Sequence, residues 1–284
     1  AQADNAVDFF CVAALSEAIT LIDAGITKPI MVMGIYDGDI SYAVRYPLHL
    51  LVSSKDTAQM LNAYAKQYNV SFTVHVKIDT GLSRLGILPE QAISFFEYLY
   101  ELPHLNVVGI CSHFAESHKS DTEYTVMQAS LLHTTIMHLM QRGYHFKYIH
   151  IANSAGTTAL DLPWCNLFRV GAGAYGMWPS QHNKIITQER YPGFNLTPII
   201  SWKSRIIEIK NIPAHSFIGY DRTIYTAHPK KIAIIPIGYY DGYDFRLYNL
   251  ASMYVHDKSV RIIGRIAMNL TMLDITDCDP IALG

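Results

Sequence analysis

The sequence predicts an α/β protein in two parts. Residues 1–178 are predicted to form a (β/α)8 barrel of the TIM type that lacks its first strand, and residues 195–284 a mostly β domain. The first part alternates short β-branched or apolar runs with helical patterns, which is typical of βα units and a parallel sheet. It has seven candidate strands, one fewer than a closed eight-stranded barrel needs. The second part instead has short strands separated by closely spaced turn residues.

The candidate strands of the first part are short. They cover residues 8–13, 29–34, 49–52, 72–78, 106–111, 148–152 and 167–170. Helical patterns cover residues 16–24, 55–68, 89–102 and 122–142, and Gly25 and Gly143 occupy positions of C-terminal caps. Because an open barrel exposes a strand edge on each side of its gap, a missing first strand is the simplest explanation for the count.

The second part follows residues 177–198, where the pattern gives way to Pro, Gly, Gln and Asn and predicts a domain boundary. Its candidate strands cover residues 199–209, 231–236, 252–255, 260–263 and 271–275. We also expect the chain to be a fragment. It starts at Ala1, enters an apolar strand at Val7, and stops at Gly284 just after a strand-like segment.

Composition limits the classes of function. Only 16% of the residues are Asp, Glu, Lys or Arg and the net charge is -2, against roughly a quarter charged in an average soluble domain. This weak field predicts no nucleic-acid partner and no membrane surface. The four cysteines are scattered without a C-x-x-C pair, the 13 histidines show no metal-ligand spacing, and no apolar run spans a bilayer. We therefore predict reduced thiols, no metal site and a cytoplasmic protein.

Polar or Gly-rich clusters follow four successive candidate strands, where βα barrels carry their reactive groups. The clusters cover residues 77–86, 112–114, 153–157 and 169–173. Each one alone fits a capped turn, but four on one face favour a functional site. The last two suit a phosphate, because Gly-rich backbone amides and the Ser154 hydroxyl are donors, and such barrels bind phosphate after strands seven and eight.

Charged residues and tyrosines add to these clusters. Lys77 shares strand parity with Thr73 and His75, so it points into the barrel, where it needs an anionic partner or a modification. Arg84 and Arg169 suit a carboxylate or a ring nitrogen, with a surface arginine as the simple alternative. In the second part, the tyrosines beside glycines at 218–223 and 237–243 suit packing better than acid/base chemistry.

Seven motifs lie in one order along the chain. They are K-I-D-T-G-L-S-R-L-G at 77–86, S-H-F at 112–114, A-N-S-A at 152–155, R-V-G-A-G-A-Y-G at 169–176, G-Y-D-R-T at 219–223, I-P-I-G-Y-Y-D-G-Y at 235–243 and G-R-I-A-M-N at 264–269. In sequence and order they resemble alanine racemase, a fold-type III family that uses pyridoxal 5′-phosphate (PLP). The resemblance extends over essentially the whole chain.

The resemblance implies a role for each matching residue. Arg169 would hydrogen-bond the pyridine nitrogen of PLP and, as a cation, keep that nitrogen unprotonated, while His113 lies against the ring. Tyr220 would be one of two catalytic bases, tuned by His113 and Arg169, and would reach into the partner subunit's barrel. The other implied roles are ring and phosphate binding by Asn153, Ser154, Gly171 and Ala172, substrate binding by Arg84 and Met268, carbamylation of Lys77, and an entrance lined by Tyr239 and Arg265.

The chain departs from the family where the site would be completed. The family's PLP-binding lysine lies at the end of barrel strand one in a V-K-A-N-A-Y-G-H-G type motif, and residues 1–284 contain neither this motif nor the C-terminal Arg-x-Tyr segment. Asn269 replaces the Asp often found after the motif methionine. This change does not affect a contact made by the Met268 backbone.

The resemblance thus implies a homodimeric, PLP-dependent isomerase that interconverts L-alanine and D-alanine with a lysine and a tyrosine as bases and supplies D-alanine for peptidoglycan. Without the lysine, this chain alone is expected to be inactive. One alternative is a racemase of another amino acid, such as serine or lysine. The other is a non-catalytic PLP-binding or dimerisation protein that has lost strand one.

Overall fold

The computed structural model of the chain describes residues 7–278 and 280–283. Ala1 and Gly284, on which the expectation of a fragment depends, lie outside the described residues. Two compact units make up the fold, Ala1–Ile199 and Ile200–Gly284. Each unit is described by itself.

The first unit is built on six parallel strands. They are β1 (Phe10–Ala14), β2 (Ile30–Ile35), β3 (Leu48–Val52), β4 (Phe72–Lys77), β5 (Leu105–Cys111) and β6 (Tyr148–His150). Each strand pairs with its neighbour in sequence, so the sheet order is β1-β2-β3-β4-β5-β6. Successive parallel strands joined through helices form part of a βα barrel, and the predicted fold class is confirmed.

Helices cover the outer face of this sheet. They are α1 (Leu15–Asp23), α2 (Tyr42–Arg45), α3 (Lys55–Gln67), α4 (Ala92–Tyr100), α5 (Glu123–Gln141), α6 (Ser154–Ala159) and α7 (Gln181–Arg190). Val74, Val76 and Ile78 pack into the core with the helices, whereas His75 and Lys77 alternate onto the opposite face. None of the described helices combines the length and the apolar character that crossing a membrane requires.

The predicted seventh strand at 167–170 is wrong. The side-chain amide of Asn166 takes the place of a strand partner beside β6. Its Oδ1 accepts the Ile149 N–H at 2.8 Å and its Nδ2 donates to the Lys147 carbonyl at 2.8 Å. Because these backbone groups are satisfied by a side chain, the segment passes β6 without forming a β-ladder.

The segment 177–198, predicted as an irregular boundary, contains α7. Ser180 begins this helix, because its Oγ accepts the Asn183 N–H at 3.0 Å. The buried face of α7 is polar: Asn183 Nδ2 donates to the Ala155 carbonyl at 3.3 Å, and the Thr187 hydroxyl bonds the Thr158 hydroxyl at 2.9 Å. A helix buried through polar residues has no apolar periodicity, so the sequence pattern missed it.

The second unit is mostly β, as predicted. Its strands are β7 (Glu208–Ile212), β8 (Ser216–Ile218), β9 (Ile224–Thr226), β10 (Lys230–Ile235), β11 (Ser252–Val255), β12 (Lys258–Arg261) and β13 (Thr271–Asp274). An antiparallel sheet in the order β13-β10-β7 is accompanied by the hairpins β8-β9 and β11-β12. The predicted strand at 199–209 starts only at Glu208, because pairing with β10 ends at Ile234 opposite Glu208.

Candidate active site

The predicted polar clusters of the first unit lie at the carboxyl ends of its strands. The clusters that begin at residues 77, 112 and 153 stand at or just after the ends of β4, β5 and β6. Arg169 runs beside the last of these strands, with its N–H donating to the Ala152 carbonyl at 3.1 Å. Because parallel strands share one carboxyl edge, these clusters lie on the same face of the unit.

Asp79 holds the loop after β4 in shape. Its Oδ1 accepts the backbone N–H groups of residues 81–83 at 3.0, 3.0 and 3.1 Å. The loop returns to the strand, where the Ile87 N–H donates to the Lys77 carbonyl at 2.9 Å. The Asp79 carboxylate is therefore committed to the backbone of its own loop.

Gly86 closes this loop, and we expect Gly86→Ala to lower the free energy of unfolding by roughly 3 kcal/mol. Gly86 has φ +132°, and an added Cβ would lie 2.6 Å from the Asp79 nitrogen, so the methyl group adds overlap to backbone strain. Urea unfolding measures the loss. Gly143→Ala is the matched control, since Gly143 also has positive φ but open space around its Cβ position, and should lose only about 1 kcal/mol. Equal losses in both variants would contradict the overlap.

Lys77 points into the barrel and is 3% exposed. Burial lowers its pKa below the usual range, and the nearby guanidinium groups of Arg84 and Arg169 lower it further. Within the described part of the chain, no carboxylate forms an ion pair with the Lys77 ammonium. Three basic side chains therefore lie near one another at this end of the barrel, which makes it suited to an anionic ligand.

Arg169 is held by acceptors on several sides. Its Nη2 donates to the Ser112 carbonyl at 2.7 Å, to His113 Nδ1 at 2.9 Å and to the Ile151 carbonyl at 3.3 Å, and its Nη1 donates to His150 Nδ1. Because a guanidinium group is planar, these contacts fix its orientation. Its Nε–H has no acceptor among the residues that the structure describes, so it is free for a ligand.

His113 is a neutral imidazole at this site. Burial lowers its pKa to about 4, and Arg169, Lys77 and Arg84 lower it as well. A guanidinium group can only donate, so the Nδ1 atom that faces Arg169 must be the acceptor. The single ring proton of His113 therefore lies on Nε2.

Ser154 and the turn at 171–173 form a small group of donors. Ser154 Oγ accepts the Gly171 N–H at 3.0 Å and the Gly173 N–H at 3.2 Å, while its own proton has no acceptor in the described residues. The turn is open, since an added Cβ at Gly171 would contact nothing within 4 Å. Because both amides already donate to Ser154 Oγ, the donor that this group offers to a phosphate is the hydroxyl proton of Ser154, which the two amides leave pointing away from them.

Asn153 is bound within this cluster rather than free. Its Oδ1 accepts the Gly156 N–H at 3.0 Å and the Ser117 hydroxyl at 2.8 Å. It therefore caps α6, a helix that stands where the sequence pattern indicated only a loop. This contact fixes the position of the neighbouring Ser154.

The buried histidines predict how stability depends on pH. In the unfolded chain histidines bind protons near pH 6.5, whereas in the fold burial lowers the pKa of His75 to about 3 and those of His49 and His113 to about 4. The unfolded chain thus binds more protons between these values. We expect the stability present above about pH 6.5 to be lost towards pH 4, by up to about 1.4 kcal/mol per pH unit for each histidine. Urea unfolding across this range checks the slope, and a flat profile would contradict it.

The second unit brings the other predicted residues onto adjoining loops. Arg265 Nη1 forms an ion pair with Asp221 Oδ2 at 2.6 Å, which joins the loop of Tyr220 to the loop at 264–265. The Tyr240 N–H donates to the Met268 carbonyl at 2.8 Å, which joins the loop at 238–242 to the loop at 266–270. The backbone N–H of Tyr239 makes a parallel contact with the same loop, through the Ala267 carbonyl at 3.1 Å.

Tyr220 stands on a strained turn and faces outward. Its side chain is 69% exposed, and the residues around it have positive φ: Gly219 at 75°, Asp221 at 56° and Arg222 at 52°. Two consecutive non-glycine residues in this region require support from their surroundings, which the Asp221–Arg265 ion pair supplies. An exposed tyrosine on such a turn is not the packing residue that its composition first suggested.

Sequence reasoning missed the residues that hold these side chains in place. Asp79 holds its loop through three backbone N–H groups, and the Ser117 hydroxyl donates to Asn153 Oδ1 across 36 positions of the sequence. His150 stands in none of the predicted clusters, yet it contacts Arg169. No three His, Cys, Asp or Glu side chains are grouped for a metal in the described residues, where all four cysteines are free thiols.

A parallel βα sheet with basic strand ends, followed by a β-rich unit, defines a barrel-like protein whose strand ends are suited to an anionic ligand. Family profiles name the class: the alanine racemase N-terminal domain matches residues 1–179 and the alanine racemase C-terminal domain matches residues 199–284. The chain belongs to the alanine racemase family.

Individual relatives are also alanine racemases. An alanine racemase of Methanococcus maripaludis is 34% identical over 283 residues, covering 99% of this chain and 74% of the relative, and one of Geobacter sulfurreducens is 35% identical, covering 98% and 72%. The solved alanine racemase of Clostridium difficile 630 superposes with a TM-score of 0.83 at 31% identity, covering 98% of this chain and 71% of that one. These relatives support a racemase, an isomerase that acts on an amino acid.

Proposed function

We propose that this protein is a PLP-dependent racemase that interconverts L-alanine and D-alanine. The observation that carries the proposal is the fixed Arg169 guanidinium, with Lys77 and Arg84 nearby, just ahead in sequence of the turn that Ser154 holds. Such a set offers a cation to a ring nitrogen and a hydroxyl donor to a phosphate, the two groups that PLP carries. A solved relative from Bacillus anthracis, 29% identical, contains bound L-Ala-P.

The residues of the first unit would hold PLP at two ends. Ser154, supported by Asn153, and the backbone of Gly171 and Ala172 would bind its phosphate. Arg169 would face the ring nitrogen through its free Nε–H and keep that nitrogen unprotonated, because a guanidinium group does not release its proton. His113, fixed by Arg169, would lie against the ring. When bound, PLP withdraws electrons from the α-carbon of an amino acid and makes its α-proton acidic.

Two bases on opposite faces would then exchange the α-proton. Tyr220 would serve one face from the partner subunit, so the enzyme would be a homodimer. The family's strand-one lysine would serve the other face. An exposed hydroxyl on a fixed turn is suited to reach a neighbouring molecule, and both bases are needed for reversible inversion.

The remaining residues would position the substrate. Burial favours the neutral amine of Lys77, which is the form that reacts with carbon dioxide. The resulting carbamate would give Arg84 an anionic partner, and Arg84 would then be oriented toward the substrate carboxylate. The Met268 backbone would contact the same carboxylate. Tyr239 and Arg265 would line the entrance.

A racemisation assay tests this function. The complete gene product that carries these 284 residues, supplied with PLP and L-alanine, should form D-alanine until the enantiomers are equal. L-serine and L-lysine serve as competing substrates, and we expect kcat/KM to be highest for alanine. Faster turnover of serine or lysine would mean that the protein is a racemase of that amino acid. PLP binding without turnover of any amino acid would support a non-catalytic role.

The 284 residues expressed alone should form no D-alanine. They contain no V-K-A-N-A-Y-G-H-G type motif, and none of Lys28, Lys55 or Lys66 is expected to follow a first barrel strand. One of the two bases is therefore lacking. The same assay measures the result, with the complete gene product as control, and turnover within a hundredfold of that control would mean that another lysine replaces it. In that case Lys77→Met would show whether the buried amine of Lys77 is the replacement base.

A further inference from the structure

Three histidines and Arg169 form one chain of contacts through the interior of the barrel. His49 Nδ1 lies 2.8 Å from His75 Nε2, and His75 Nδ1 lies 3.0 Å from His150 Nε2. His150 Nδ1 then faces Arg169 Nη1. These histidines belong to β3, β4 and β6, and His75 and His150 are fully buried. This row of hydrogen-bonded histidines therefore connects the interior of the barrel to Arg169, the residue assigned to the PLP ring.

Arg169 determines the direction of every hydrogen bond in this chain. A guanidinium group has only donors, so His150 Nδ1 accepts and the proton of a neutral His150 lies on Nε2. That proton is donated to His75 Nδ1, which leaves the His75 proton on Nε2. His75 in turn donates to His49 Nδ1. Only one pattern of protons satisfies all three contacts.

The surroundings keep these histidines neutral. Burial is the main cause and lowers the pKa of His75 to about 3, that of His49 to about 4 and that of His150 well below its ordinary value. The charges that face them are cationic: Arg169 and Lys77 near His150, and Lys147 near His49. A second proton on any member would also place two donors face to face.

Gly109 shows that the fold makes room for this chain. It pairs with His75 across β4 and β5, and an added Cβ at Gly109 would overlap the His75 ring at Nδ1. β5 lies between the strands of His75 and His150, so the His75 ring must cross it to make the contact. The absence of a side chain at Gly109 permits that crossing.

We propose that His75 is a positioning residue for the racemase reaction: it holds His150 in the Nε2–H form, which keeps His150 Nδ1 as the acceptor that orients Arg169. The assignment rests on the proposed function, in which Arg169 binds the PLP ring. Without an acceptor at His75, the buried Nε2–H of His150 has no partner. If His150 moves its proton to Nδ1 instead, it faces Arg169 with a donor. The first state leaves a buried donor unpaired, which favours the second state, and in the second state Arg169 loses the acceptor that orients it.

Two substitutions of His75 separate positioning from packing. His75→Asn keeps an acceptor near the Nδ1 position, whereas His75→Leu removes it with a side chain of similar volume. Gly109→Ala leaves every polar group present but displaces the ring. His133→Leu is the matched control. His133 lies on α5, takes no part in the row of hydrogen-bonded histidines, and stacks on Trp164.

The test is long-range ¹H–¹⁵N correlation of ¹⁵N-histidine in the complete gene product without PLP, followed by PLP titration. Wild type, His133→Leu and His75→Asn should show His150 protonated at Nε2 only. His75→Leu and Gly109→Ala should show Nδ1–H or mixed signals and bind PLP roughly 10- to 100-fold more weakly, the range seen when a residue orienting a metal ligand is removed.

An unchanged His150 signal in both His75→Leu and Gly109→Ala would overturn the proposal, and so would equal loss of PLP affinity in His75→Asn and His75→Leu. If His75→Leu does not fold, Gly109→Ala against wild type decides. A wild-type protein that binds no PLP would refute the proposed function instead, while the ¹⁵N signals would still test the histidine chain.

Discussion

Replacing Tyr220 by phenylalanine should slow abstraction of the α-proton of L-alanine by roughly 10²- to 10⁴-fold, the usual contribution of a general acid or base. The change removes one hydroxyl and leaves the ring, so folding should be unaffected, as the 69% exposure of this side chain also indicates. In the proposed geometry Tyr220 serves the face of the L-enantiomer and the lysine serves the face of the D-enantiomer. The loss should therefore differ between the two substrates.

Exchange of the α-hydrogen with deuterated solvent, followed for each enantiomer separately, measures this difference. D-alanine should continue to exchange without inversion, while exchange of L-alanine is lost. The equilibrium between enantiomers cannot change, so net turnover is not informative. Tyr254→Phe is the control, since Tyr254 is a comparably exposed tyrosine of the same unit, at 77%. Equal losses for both enantiomers, or unaltered exchange, would exclude Tyr220 as a base.

Arg169→Gln should weaken PLP binding and racemisation by on the order of 100-fold or more and lower the free energy of unfolding by roughly 3 kcal/mol. Arg169 donates to two carbonyls and two histidines, and a glutamine has too few donors and no charge to replace them. Urea unfolding and PLP titration measure the two losses. Arg142→Gln is the control, because its 3.2 Å ion pair with Glu97 is exposed and should contribute less than about 1 kcal/mol.

The same variant should raise the pKa of His113. Burial is the first cause that holds this pKa at about 4, and Arg169 is the second. Without Arg169 the pKa should rise but stay below its ordinary value, because the ring remains buried. An NMR titration of the ring protons measures it. An unchanged pKa would contradict the close contact between the two side chains.

Local pattern predicted the parts of the site that depend on strand parity and strand ends. The alternation of Thr73, His75 and Lys77 placed Lys77 inside the barrel, where it is 3% exposed, and the cluster at 153–157 begins just after β6. These features depend only on the two-residue repeat of a strand and on the shared edge of a parallel sheet.

Features that depend on side-chain hydrogen bonds over long sequence separations were not predictable. Asn166 replaces a seventh strand by bonding β6, and α7 is buried through Asn183 and Thr187, whose polarity hides the helix from hydrophobic periodicity. The His75–His150 contact joins residues 75 positions apart across an intervening strand. This contact requires that Gly109, on the intervening strand, has no side chain.

The isotope content of the first product distinguishes a two-base racemase from a one-base racemase. The complete gene product with PLP is given L-alanine in D2O and stopped before a tenth of the substrate, roughly, has reacted. With two bases on opposite faces, the proton removed from one face is not the one added to the other. D-alanine should therefore carry deuterium at its α-carbon from the first turnover. D-alanine that retains the original hydrogen would show that a single base moves the proton between faces, and would contradict the two-base mechanism.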